Sequence, residues 1–347
     1  MIAPHPLAIL EQALAWIAQG QRVVLVTLVG IEGSTSRGLG TQMAVAEDGR
    51  FAGSFSGGCI EDAIVAEARD VLAAGAGRTV RYGAGSPYID VRLPCGGGID
   101  LCFTPDPDAL VLTRAVEELH ARRAVVLPVA EDGVGGGGFP LHLAPVMRIV
   151  ACGHGEDFSA FVRLARQLGA LAEAYSPHER DVATLGDATR LTHLGQPPAL
   201  LGDDWTAFVF VFHDRDWEDA LLPSVLTQPA FLIGAVGSRR THAQRLERLA
   251  AAGVIADQTA RIKGPFGLIP ATRDPASLAL SILAEGTQAV AQGDFSPRQA
   301  VYSSDELGVL TQSFNRMTRQ LDDARRETER HRSELEAARG YLESILA

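Results

Sequence analysis

From Met147 to about Ala252, short apolar runs alternate with segments of helical spacing, and this alternation constrains the fold most. Met147-Arg148-Ile149-Val150-Ala151-Cys152 is a strand-like run ended by Gly153-His154-Gly155. Phe158, Phe161, Val162, Leu164, Ala165 and Leu168 then share one face of a helix. Further buried strands are predicted over 171–175, 208–212 and 230–234, with helices over 217–226 and 239–252. Strands that alternate with helices imply a parallel, doubly wound sheet of Rossmann-like form.

The chain before this pattern reads as mixed α+β. Leu7, Leu10, Leu14 and Ile17 form a helical stripe ended by Gly20, and 23–29 is a continuous β-branched run of the kind buried on both faces. Asp48-Gly49 between two strand-like segments is a hairpin signal. Strands follow at 79–82, 90–93 and 99–104, a helix at 109–122, and short strands around Val125 and Leu141. Gly133 to Gly138 reads as a flexible turn between the last two. The expected organisation is an α/β protein with an N-terminal α+β domain over 1–143, a Rossmann-like domain over 144–284, and a helical tail over 285–347.

Two glycine-rich cysteine loops are the main chemical motifs. In Gly53-Ser54-Phe55-Ser56-Gly57-Gly58-Cys59-Ile60-Glu61 the cysteine opens an amphipathic run marked by Ile60, Ile64, Ala68 and Val71. This spacing predicts Cys59 in the first turn of a helix, where free N–H groups favour a thiolate and bind anions. Cys95-Gly96-Gly97-Gly98 repeats the chemistry. Ser56, Gly57, Gly58, Cys59, Glu61, Cys95, Gly96 and Gly97 are therefore the first candidate set, for a large, anionic, sulfur-binding ligand. Cys102 lies in an alternating strand and Cys152 ends a buried one, so both read as packing. No histidine and carboxylate accompany Cys59 as they would a nucleophile.

A second set belongs to the alternating region. Gly153 and Gly155 begin a dinucleotide fingerprint, but Phe158 stands at the third glycine position, and Ser176-Pro177-His178 replaces the acidic residue after the second strand. Gly237, Ser238 and Arg239 open a helix after a strand, an arrangement that suits a phosphate or another anion.

Charge narrows the partners. With 42 acidic against 31 basic residues, a formal charge of −11 argues against unaided nucleic-acid binding. The four cysteines have neither CxxC nor zinc spacing and suit a reducing compartment. The first twenty residues carry Glu11 within their apolar pattern and read as an amphipathic helix, not a signal peptide. With no membrane-length apolar run, the expected location is the cytoplasm.

With these motifs in view, residues 1–285 resemble the XdhC/CoxI family, accessory proteins of xanthine dehydrogenase and related molybdenum hydroxylases. The resemblance rests on Glu32-Gly33-Ser34 with Arg37, Ser56-Gly57-Gly58-Cys59-Ile60-Glu61 and Cys95-Gly96-Gly97. It continues in Gly234-Ala235-Val236-Gly237-Ser238-Arg239-Arg240-Thr241-His242, Arg245-Leu246, and the run from Ser277 to Glu285. It departs at Pro265-Phe266-Gly267-Leu268, where the family usually has Pro-Ile-Gly-Leu, and at Glu156-Asp157, two carboxylates that disfavour a phosphate. The resemblance implies a chaperone, rather than an enzyme, that binds molybdenum cofactor (molybdopterin) transiently. It implies shielding of the cofactor, support of its sulfuration by a cysteine desulfurase, and transfer to an apo-xanthine dehydrogenase or related hydroxylase. Cys59 is then a candidate molybdenum contact. An NAD(P)-dependent oxidoreductase and a signalling module remain the alternatives.

The tail resembles a HAMP linker through Ala289 to Phe295, Asp305-Glu306-Leu307-Gly308-Val309-Leu310 and Phe314-Asn315-Arg316-Met317. Leu310, Phe314, Met317, Leu321 and Ala324, then Leu335, Ala338, Leu342 and Ile345, step by threes and fours like a coiled-coil seam. A homo-oligomer through this tail is expected, because one such helix cannot bury its own seam.

Overall fold

The computed structural model describes residues 5–33, 35, 37–58, 60–86, 96–269 and 274–291, and the side chains of these as far as 286. Cys59, Cys95, the strand expected at 90–93 and the tail from 292 lie outside the described residues.

The chain opens with α1 (Pro6–Ala18), β1 (Val23–Glu32), β2 (Gln42–Ala46), β3 (Phe51–Gly53) and α2 (Glu61–Ala74). Next come β4 (Arg78–Gly83), β5 (Gly98–Pro105), α3 (Ala109–His120), β6 (Val125–Ala130), β7 (Gly133–Val134) and β8 (Phe139–Leu143). An antiparallel sheet is ordered β3-β2-β1-β5-β4, and β7-β6-β8 form a small second one. The Asp48-Gly49 hairpin is present as β2 and β3, with Gly49 at φ +91°. Gly133 was expected in a flexible turn; it instead pairs with Ala130 as part of β7.

β1 explains its own composition. One face, with Val23 and Leu25, packs against Leu10 and Ala13 of α1, Leu112 of α3 and Leu127 of β6. The other face, with Val24, Val26 and Leu28, packs against Ile64, Ala68 and Val71 of α2. A strand covered on both sides has no polar face to show, so its sequence is a continuous apolar run. Antiparallel pairing also collects three connections at one end of this sheet. The ends of β1, β3 and β4 and the starts of β2 and β5 lie together, as the partners Glu32 with Gly98, Gly83 with Gly98 and Met43 with Gly53 show.

The second half runs β9 (Arg148–Gly153), α4 (Gly155–Gln167), β10 (Leu171–Ser176), α5 (Glu179–Leu185), β11 (Thr189–Arg190), β12 (Thr206–Val211) and α6 (Arg215–Val225). It ends with β13 (Leu232–Ala235), α7 (Arg239–Ala251), α8 (Ala256–Thr259), β14 (Ile262–Lys263) and α9 (Pro275–Ala291). The sheet order is β11-β10-β9-β12-β13-β14, and every pair is parallel. The order three-two-one-four-five-six is that of the doubly wound dinucleotide fold, with its switch point between β9 and β12. Phe158 and Phe161 of α4 and Ile282 and Leu283 of α9 cover one face, and Leu221, Leu222 and Leu249 of α6 and α7 cover the other. Cys102 and Cys152 are buried free thiols, and burial pushes both thiol pKa values up. Packing, not reactivity, is their role.

The two large sheets are joined through Arg122, which follows α3 at φ +63°. Its guanidinium donates to both carboxylate oxygens of Asp203, at 2.8 and 3.1 Å, and to the carbonyl of Trp205. Asp203 also receives Arg148 of β9 and Thr206 of β12. Burial works to raise the Asp203 pKa, but the hydrogen bonds from Arg122, Thr206 and Trp205 outweigh it and bring it to about 2.

Candidate functional site

The turn from Ser54 to Ile60 is organised by one carboxylate. Glu61 is 4 % exposed. Among the described residues its two oxygens accept six hydrogen bonds: from the Ser54 and Ser56 hydroxyls at 2.7 and 2.6 Å, and from the N–H groups of Phe55, Ser56, Gly58 and Ile60 at 2.8–3.2 Å. The Ser54 hydroxyl in turn accepts the Gly57 N–H at 2.9 Å. Burial alone would raise the Glu61 pKa; the hydrogen bonds from Ser56 and Ser54 reverse this and leave it at about 2.

The helix is described from Glu61, with Ile60 as N-cap. The N–H groups of Phe55, Ser56, Gly58 and Ile60 bind Glu61 and that of Gly57 binds Ser54, so these five are not free for an outside anion, contrary to the sequence expectation. The turn is thus held from within by hydrogen bonds. Among the described residues, Gly57 (φ +76°) and Gly58 (φ +118°) have nothing within 4 Å of where a Cβ would stand, and Gly96 (φ +71°) is equally open.

Neighbouring loops meet this turn. Arg37 donates through Nε to the Ser54 carbonyl at 3.2 Å. A Cβ on Gly33 would lie 3.5 Å from the Gly97 Cα, so the loops after β1 and before β5 are in contact. Of the first candidate set, Ser56, Gly57, Gly58, Glu61, Gly96 and Gly97 therefore lie at the same end of the first sheet. Beside them, Arg81 pairs with Asp100 at 2.8 Å and with Glu32, a charged group that strand alternation did not single out.

The second candidate set lies elsewhere, at the C-terminal edge of the parallel sheet. Gly153 is packed: a Cβ there would stand 2.4 Å from the Val211 carbonyl oxygen and 2.8 Å from the Phe158 ring. Phe158 is fully buried and fills the space that a third glycine leaves for a close ligand. The N–H of Gly155 donates to Asp181 at 2.9 Å, and the Ser176 hydroxyl donates to the same oxygen at 2.8 Å. The first N–H of α4 is thus taken by a buried carboxylate of α5, a helix that sequence spacing did not reveal. At α7, Ser238 is the N-cap and its hydroxyl accepts the Thr241 N–H at 3.1 Å. Arg239 is exposed there, whereas Arg245 is buried in a bidentate pair with Glu218 at 2.8 and 2.9 Å.

Residues 16–83 match the XdhC and CoxI family, and residues 149–285 match the XdhC Rossmann domain. The chain is 35 % identical over 290 residues to the molybdenum cofactor insertion chaperone PaoD of Escherichia coli (strain K12), covering 80 % of this chain and 86 % of PaoD. This chain belongs to the XdhC/CoxI family. A crystal structure of a xanthine dehydrogenase from Bacillus halodurans is similar in fold, with a TM-score of 0.66 and 21 % identity, over 88 % of this chain and all of that one.

A HAMP domain also matches, over residues 279–323. It overlaps the XdhC Rossmann match within α9, where Ala279, Ile282 and Leu283 are buried against the parallel sheet. In this XdhC/CoxI protein the start of the HAMP-like segment is thus also part of the Rossmann-like core. The alternation of strands and helices carried the fold, but Asp181, which binds the Gly155 N–H beside the second candidate set, is a neighbour that it did not flag. Asp181 lay in a polar stretch with no motif, and only the missing acidic residue after β10 hinted that a carboxylate would come from elsewhere.

Proposed function

We propose that this chain is a molybdenum cofactor chaperone that takes the cofactor as cargo at the glycine turns of its first sheet. The observation that carries the reading is the Glu61-knit turn, hydrogen-bonded from within and, among the described residues, open outside at Gly57 and Gly58. A large planar ligand needs a surface without side chains, and a backbone that is already hydrogen-bonded does not reorganise when it lands. Cys59 and Cys95 adjoin these glycines in the sequence, and a thiolate suits a soft, sulfur-rich metal centre. With the N–H groups of Phe55, Ser56, Gly58 and Ile60 taken by Glu61, these four do not hold the cofactor's phosphate, which fits binding that is firm but releasable.

On this reading the cofactor is sheltered, sulfurated with the help of a cysteine desulfurase, and passed to an apo-xanthine dehydrogenase or a related molybdenum hydroxylase. Kinship with PaoD supports the insertion step. Association of copies through the tail belongs to the same proposal, as does a cytoplasmic location; among the described residues no helix is long and apolar enough to cross a membrane. Use of a nicotinamide dinucleotide is disfavoured by Phe158 and by Asp181 on the Gly155 N–H.

The test is the small-molecule content of protein purified from a cofactor-producing host. We expect molybdenum and molybdopterin at a substantial fraction of one per chain, falling at least about fivefold in Cys59→Ala, with unchanged thermal stability. Wild-type protein that carries no cofactor and takes none up on titration refutes the proposal.

A further inference from the structure

Three imidazoles meet at the switch-point edge of the parallel sheet. His154 follows β9, His178 is the N-cap of α5, and His213 follows β12. The His154 ring lies 4.5 Å from that of His178 and 5.9 Å from that of His213, centroid to centroid, with Phe212 at 5.8 Å. His154 Nε2 is buried without a hydrogen-bond partner among the described residues. The charged groups that face the cluster come from three elements. Asp181 of α5 is 4.0 Å from His178 Nδ1, Asp157 of α4 is 3.5 Å from His213 Nε2, and Asp214 stands at the start of α6. The rings pack on one another, and among the described residues no three such groups are placed to hold a metal ion.

We propose that this cluster is a proton-operated latch on the crevice between β9 and β12. With His154 neutral, the rings stack and hold the start of α4, the turn into α5 and the loop after β12 together. His178 and His213 each have a carboxylate within 4.0 Å, whereas His154 sits between two imidazoles. A proton on His154 places positive charge in a partly buried site packed against two further imidazoles and the Phe212 ring, where it is poorly solvated. The rings then separate, and the turn that carries His178 draws Asp181 away from the Gly155 N–H.

Burial, followed by the neighbouring His178 and His213, holds the His154 pKa below the ordinary histidine value, with Asp181 and Asp214 offsetting part of this. A folded-state pKa below the unfolded one means that the latch is complete above about pH 6.5 and weakens as the pH falls further. This inference does not depend on the cofactor reading.

Hydrogen exchange read by mass spectrometry on the full chain, at about pH 7.5 and about pH 5.5 and corrected for intrinsic exchange, tests it. We expect peptides over 153–160, 176–182 and 211–216 to open at least about tenfold more at the lower pH, while peptides of the first sheet do not. His154→Phe keeps a ring but cannot be charged, and it should abolish the difference. Equal protection at both pH values, or acid opening that persists in His154→Phe, overturns the proposal. If His154→Phe does not fold, His178→Gln decides. Removing the neighbouring imidazole should move the NMR titration of His154 upward, and an unmoved titration overturns the latch.

Discussion

The glycine turns at Ser54–Ile60 and Gly153–Gly155 both have N–H groups bonded by a carboxylate of the chain itself, yet they differ in what they leave outside. At Ser54–Ile60, Glu61 binds the backbone from within, and the outer faces of Gly57 and Gly58 are open. At Gly153–Gly155, Asp181 binds the N–H of Gly155, Phe158 and the Val211 carbonyl press on Gly153, and His154 lies under His178. A glycine in a turn is therefore weak evidence by itself. Open space beside it points to a visiting ligand, and a packed neighbour points to the fold.

The sharpest break of this comparison is Gly153→Ala. The added methyl meets a backbone carbonyl oxygen at 2.4 Å, which cannot rotate away. We expect a loss of at least about 3 kcal/mol, the upper range for overpacking, read as a shift of the denaturation midpoint at unchanged slope. Glu61→Gln comes next, with a loss of about 2 kcal/mol near neutral pH, because the amide serves fewer donors than the carboxylate and brings an N–H₂ group against them. Since the Glu61 pKa is depressed to about 2, its contribution is complete above the unfolded carboxylate value and fades as the pH falls toward the folded one. The stability gap between wild type and Glu61→Gln should therefore close between about pH 4.3 and the low pKa of the native state; a gap constant with pH contradicts the assignment. Gly57→Ala should cost least, about 1 kcal/mol from positive φ alone, yet it should reduce cofactor content severalfold if the bare face is where the cofactor sits. Loss of stability without loss of cofactor would make that glycine a matter of backbone geometry only.

Much of the fold was legible because burial on both faces writes itself into composition. β1 and β12 are nearly continuous apolar runs, and α4 shows its stripe because one side meets the sheet. The short edge strands β11 and β14 and the small helix α5 were not legible, because elements of this length bury too little to leave a period. The candidate site was legible in residue types and not in direction. Glycines, serines and a glutamate could be read as ligand-facing, but the six hydrogen bonds to Glu61 turn that carboxylate inward. Asp181 escaped notice for a related reason: its meaning comes from Gly155, far away in the sequence.

The joint at Asp203 has a mechanical consequence. One carboxylate receives Arg122 from the first half of the chain and Arg148 and Thr206 from the second. Strands β9 and β12, which flank the switch point, begin next to this joint and run away from it. The starts of both strands are thereby tied through one carboxylate to the residue that follows α3, and their far ends carry the loops of the switch point.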